Sequence, residues 1–172
     1  MNVAIIGAGS LGRSLALRAA RAGLRVFLED VMPGNLHHAR ESIRLELNPE
    51  TLPAVDFVST IEDAVRDADL VIDCVPDELE SKLEILWLVD RMAPPRAVIA
   101  TPTLNMSIAD LAGCTYRPES CVAIAASAED LSGAPREVSL RAAPATSNES
   151  IALVSDFFRQ LGFHPTVERV AA

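Results

Sequence analysis

Gly7, Gly9 and Gly12 are the first residues of this 172-residue chain whose types and spacing can do chemistry. In a GxGxxG arrangement the first glycine permits a tight turn, the second lets backbone N–H groups approach a diphosphate, and the third lets a helix lie close on a strand. Ser10 and Leu11 open the following segment, where unpaired N–H groups at a helix N-terminus favour a phosphate. Asp30 lies roughly twenty residues past the last glycine, about where a carboxylate takes the 2′-hydroxyl of an adenosine ribose.

Such residues need scaffolding, and the flanking sequence supplies it. Asn2 to Ile6 is a short apolar run with β-branched residues, read as a buried parallel strand. Leu11 to Ala22 carries Leu11, Leu15, Ala19 and Ala22 at helical spacing, with Gly23 as C-cap. Val26 to Leu28 forms a second strand ending in Glu29 and Asp30. Strand, turn, helix, strand and acid agree on dinucleotide binding; the competing reading is a structural turn that binds nothing. Asp30, with no Arg at position 31 or 32, favours NAD over NADP, while Arg13 and Arg25 weigh the other way.

The remaining chain continues to alternate. The sequence predicts helices at Asn35–Leu47, Ile61–Asp67, Asp77–Met92, Ser107–Ala112 and Glu149–Leu161. Strands are expected at Asp56–Thr60, Asp69–Val75, Ala97–Thr101, Val122–Ala126 and Glu137–Ala142, with an edge strand over Phe163–Val167 and a small polar loop between the sixth and seventh strands. The expected fold is one doubly wound, mostly parallel Rossmann-type α/β domain over residues 1–172. In such a sheet a cofactor crosses the carboxyl ends of the strands, so Cys74, Val75 and Pro76 should pass under its second ribose. Lys82, the only lysine, is either a solvated side chain or a contact to that ribose or to substrate. Leu79, Leu83, Leu86 and Val89 mark the buried face of its helix, and Trp87 should pack.

A net charge of −9, with no basic run, argues against nucleic acid and anionic membranes and leaves a small molecule or another protein as partner. No apolar run approaches membrane-spanning length and nothing resembles a signal peptide, so the expected location is the cytoplasm. Cys74, Cys114 and Cys121 form no metal-ligand or disulfide pattern and read as core or near-core residues. No metal site is expected, and His37 and His38 should face solvent.

With these motifs placed, the chain resembles the NAD-binding domain of the 3-hydroxyacyl-CoA dehydrogenase family, through VAIIGAGSLG, ADLVIDCVPDELESK, the ATPT loop, PATSNES and LGFHPTV. The resemblance implies that Asp77, Lys82 and Thr103 contact NAD. It also implies a Ser after the fifth strand, a His and an Asn after the sixth, and a Glu at the seventh. Without gaps these fall on Leu104, Ala125, Ala128 and Glu137.

Of that set only Glu137 keeps the family's residue type. In the family the His accepts the hydroxyl proton, and an alanine cannot. The long helical hairpin after the second strand is reduced to one helix, and the helical C-terminal domain is not in this sequence. The expectation is an NAD(H) binder without the family's dehydrogenase activity. The alternatives are a small oxidoreductase with another substrate or a site completed by a partner chain, and a redox-sensing module. Self-association is expected through Val138 to Phe163, as a homodimer or with a partner chain.

Overall fold

In the computed structural model, which describes residues 1–171, the chain alternates strand and helix almost throughout. The strands are β1 (Asn2–Ile6), β2 (Arg25–Glu29), β3 (Val55–Val58), β4 (Leu70–Asp73), β5 (Val98–Pro102), β6 (Cys121–Ala125), β7 (Glu137–Ala142) and β8 (His164–Arg169). The helices are α1 (Ser10–Arg21), α2 (Pro33–Glu46), α3 (Ile61–Val65), α4 (Leu79–Met92), α5 (Ile108–Gly113), α6 (Ala128–Ser132) and α7 (Asn148–Gln160). One sheet of order β3-β2-β1-β4-β5-β6-β7-β8 joins them. β7 runs antiparallel to β6, β8 runs parallel to β7, and all other pairs are parallel. This is the doubly wound α/β fold expected from the sequence.

Strand order reverses between β1 and β4, where connections leave to opposite faces and a crevice opens beyond the strand ends. Both faces are covered. Ile5, Leu28 and Ile72 pack with Leu15 of α1 and with Phe157 and Phe158 of α7 on one side. Ile6, Val71 and Ile99 pack with Leu86 of α4 and Leu111 of α5 on the other. Burial on both sides is why the strands read as continuous apolar runs rather than alternating ones. Arg117 closes the C-terminal end of α4, donating to the Asp90 carboxylate at 2.9 Å and to the carbonyls of Asp90, Ala93 and Pro94.

Several expectations are corrected. The segment between β6 and β7 contains α6, whose Ser127 and Asp130 form a reciprocal capping box. α4 buries Lys82, Leu86 and Val89, whereas Leu79 and Trp87 are exposed, Trp87 by 53%, with Arg91 stacked on its ring. Cys121 is buried and Cys74 partly so, but Cys114 is exposed. Within Val138–Phe163, where self-association is expected, Val138, Leu140, Phe157, Phe158 and Phe163 are buried in the chain's own core. The apolar stripe of α7 packs on its own sheet.

Candidate dinucleotide site

The site begins with the turn between β1 and α1. Gly7 has φ +102°, and a Cβ there would press on the Cys74 carbonyl; at Gly12 it would overlap the Gly7 carbonyl oxygen. Both glycines are therefore required by backbone contacts. Gly9 differs, because a Cβ on it would meet nothing within 4 Å. It fronts open space at the head of α1, where no side chain caps the helix and the first helical bond is donated by Arg13 to the Gly9 carbonyl. The N–H groups of Ser10, Leu11 and Gly12 are left for an anion.

The end of β2 is tied to this turn. Asp30 Oδ2 accepts the Ala8 N–H at 2.9 Å, and Oδ1 accepts the Met32 N–H at 2.8 Å. The Asn35 amide lies 3.3 Å from the same carboxylate. Glu29 is only 4% exposed. Burial first, and then the neighbouring Asp30 carboxylate, raise the Glu29 pKa to about 7.

A cavity of about 880 Å³ runs along these groups, within the size range of small-molecule and cofactor sites. Gly7, Gly9, Ser10, Leu11, Glu29, Asp30, Cys74, Val75, Pro76 and Asp77 line it, so the structure brings most of the expected contacts together. Val31, Ile61, Ile85, Leu88 and Met92 add an apolar part to its lining, beside Glu62 and Glu84, that suits a flat heterocycle. The open glycine cradle, unpaired amides, ribose-range carboxylate and apolar slot fit NAD in complementary ways.

Gly12, Lys82 and Thr103 do not line this cavity. Gly12 serves helix–strand approach. Lys82 is 1% exposed, with Nζ 3.2 Å from Asp73 Oδ2 and 3.3 Å from the Asp73 carbonyl. Asp73 also accepts from the Thr101 hydroxyl at 3.1 Å and from the Val75 N–H at 3.1 Å. The expected cofactor lysine is thus an internal strut, and the turn Cys74–Pro76 is braced from below. Burial raises the Asp73 carboxyl despite Lys82, and it lifts the Cys74 thiol far above its usual range, which disfavours its thiolate form. Thr103 is buried, its hydroxyl accepting the Met106 N–H at 3.2 Å.

At the opposite end of the crevice, Leu104 is exposed and its N–H reaches Asp77 Oδ2 at 3.2 Å. Ala125 is opposite Ser139 across β6 and β7. Ala128 is exposed at the start of α6. Glu137 is exposed and paired in register with the exposed His164 on β8, where the parallel strands β7 and β8 begin. That neighbour for Glu137 is not visible in sequence spacing. His37 and His38 lie exposed on α2, away from this end. Among the described residues no cluster suits a metal, and no helix is long and apolar enough to cross a membrane.

Fold and site together define a Rossmann-type dinucleotide-binding domain. The model of the 3-hydroxyacyl-CoA dehydrogenase NAD-binding domain matches residues 2–170, and the chain belongs to that family, whose cofactor is NAD. It is 29% identical, over 96% of its length, to 5-formyl-3-hydroxy-2-methylpyridine 4-carboxylate 5-dehydrogenase of Mesorhizobium japonicum, covering 56% of that protein. It is 35% identical to L-carnitine dehydrogenase of Burkholderia mallei over 69% of this chain and 40% of the relative. The crystal structure of a 3-hydroxyacyl-CoA dehydrogenase from Archaeoglobus fulgidus superposes with TM-score 0.84 at 28% identity, covering 100% of this chain and 57% of that one. The chain spans about half the length of these relatives.

Proposed function

We propose that this chain binds NAD(H) through the glycine turn, Asp30 and the apolar slot, and does not by itself carry out 3-hydroxyacyl-CoA dehydrogenation. What supports the second half is that the family's pattern, laid on this sequence without gaps, puts Ala125 at the base position, Leu104 at the Ser position and Ala128 at the Asn position. A missing general base alone is commonly worth roughly 10² to 10⁴-fold in rate. The carboxylates of Glu29, Asp30 and Glu62 line the ribose end, which supports NAD over a cofactor bearing a 2′-phosphate.

Calorimetric titration with NAD, NADH and NADP tests the binding half; the expected result is saturable binding of NAD and NADH with NADP weaker, and no binding at millimolar cofactor overturns it. Following NADH absorbance with acetoacetyl-CoA tests the other half. Turnover at ordinary enzymatic rates overturns the assignment of Ala125.

A second reading is a small oxidoreductase acting on another substrate. The register of Glu137 with His164 on neighbouring strands favours it, because a carboxylate brought to an imidazole can orient and charge a base. H164A abolishing an otherwise detectable NADH-linked turnover would support that reading.

A further inference from the structure

We propose a second ligand site, for a phosphate-bearing small molecule, between α1, α2 and α6. It goes beyond NAD binding and does not depend on it. A separate cavity of about 400 Å³ lies there, lined by Ser10, Arg13, Ser14, Arg18 and Arg21 of α1, by Ser42 and Glu46 of α2, and by Ser132 of α6. The α1 residues recur at helical spacing and form one stripe along its outer side. Three guanidinium groups against one carboxylate make the cavity cationic in a chain of net charge −9.

The cavity contains unmet hydrogen-bonding capacity. Two buried side-chain polar atoms have no partner among the described residues, Arg18 Nε and Ser132 Oγ, and both belong to residues lining this cavity. Native structures satisfy nearly all such groups. Arg18 is held in place because its Nη2 donates to the carbonyls of Ser132 and Gly133, and its guanidinium lies over the Phe163 ring at 5.6 Å. Arg13 enters no ion pair or side-chain hydrogen bond among the described residues. Arg21 pairs with Glu46 at 3.5 Å, but both side chains are half exposed, so that pair is weak and an incoming dianion competes with it.

Forked guanidinium donors with serine hydroxyls between them match a tetrahedral oxyanion. The volume exceeds what one inorganic phosphate fills, so the ligand carries a further organic part. Ser10 lines both cavities, and α6 contributes Ala128 to the first and Ser132 to the second. The second ligand therefore lies alongside the cofactor cavity, held by its phosphate.

The test is a titration of the isotopically labelled protein with inorganic phosphate and pyrophosphate, reading arginine Nε–H and backbone amide NMR signals. The expected result is that the Arg13, Arg18 and Arg21 signals shift together and saturate at millimolar probe. R13Q and R21Q, at exposed or half-exposed positions that leave the core intact, each weaken binding at least ~10-fold, whereas R40Q, outside the cavity lining, leaves it unchanged. Shifts confined to the Gly9–Gly12 amides would show that the probe binds only the glycine turn and would overturn the proposal. So would shifts unaffected by R13Q and R21Q, or succinate saturating the arginines more tightly than phosphate. None of these outcomes depends on whether NAD binds.

Discussion

Lys82 Nζ lies 3.2 Å from Asp73 Oδ2, and the two side chains are 1% and 0% exposed. Removing one member of a buried ion pair leaves the other uncompensated and costs about 3–5 kcal/mol, whereas removing both charges costs less. K82M is expected to fall in that range by denaturant unfolding. D73N/K82M should recover more than half of the loss, because the amide oxygen that replaces the carboxylate still accepts from Val75 and Thr101. In K82M the Asp73 carboxyl is raised further; such a group stabilises fully below its unfolded pKa and loses that stability as pH rises, so the loss should be greater at pH 8 than at pH 5.

A side chain at residue 12 overlaps the Gly7 carbonyl oxygen, which is backbone and cannot swing aside. G12A is expected to destabilise by about 3 kcal/mol or more, at or beyond the upper end of ordinary overpacking. G9A meets nothing within 4 Å in the protein. It should melt close to wild type and yet lose NAD affinity, because in the proposed binding mode its methyl would enter the space of the diphosphate. Paired thermal melts and NAD titrations check both substitutions.

Glu29, raised from 4.5 to about 7 mainly by burial, makes stability depend on pH. The folded state binds more protons than the unfolded one between these values, so the contribution is fully present below pH 4.5 and is lost as pH rises through 7. E29Q should flatten the stability profile between pH 5 and 8, gaining about 2 kcal/mol over wild type at pH 8. Urea midpoints across that range would show it, and a wild-type-like slope in E29Q would assign the dependence elsewhere.

The Asp30 carboxylate both receives the Ala8 N–H and faces the cavity. D30A should weaken NAD binding by roughly 10 to 100-fold, the worth of a charged hydrogen bond, and should loosen the glycine turn. Calorimetry gives the first effect and faster amide exchange at Ala8 the second. D30N, which keeps an acceptor, should fall between D30A and wild type.

The glycine turn, its strand and helix, and Asp30 are legible in sequence because each depends on neighbours within one β-α-β unit. The seventh strand, Glu137–Ala142, is likewise marked by local pattern. Lys82 misleads because burial is not local: it shares the inner side of α4 with Leu86 and Val89, and only the position of Asp73 beneath explains a charge there. That inward spacing, together with a lone acid ending the apolar run Leu70–Asp73, is the signal that marks the pair. α6 is hidden by its shortness, although Ser127 and Asp130 carry its capping pattern.

By itself the sequence determined the fold class, the glycine turn and the cofactor class, since each resides in residue identity and short spacing. Only the tertiary structure decided that Lys82 braces the β4 turn, that Glu137 pairs in register with His164, and that α1, α2 and α6 enclose an arginine-lined cavity. Those relations join residues far apart in the chain, and the packing of helices on the sheet creates them.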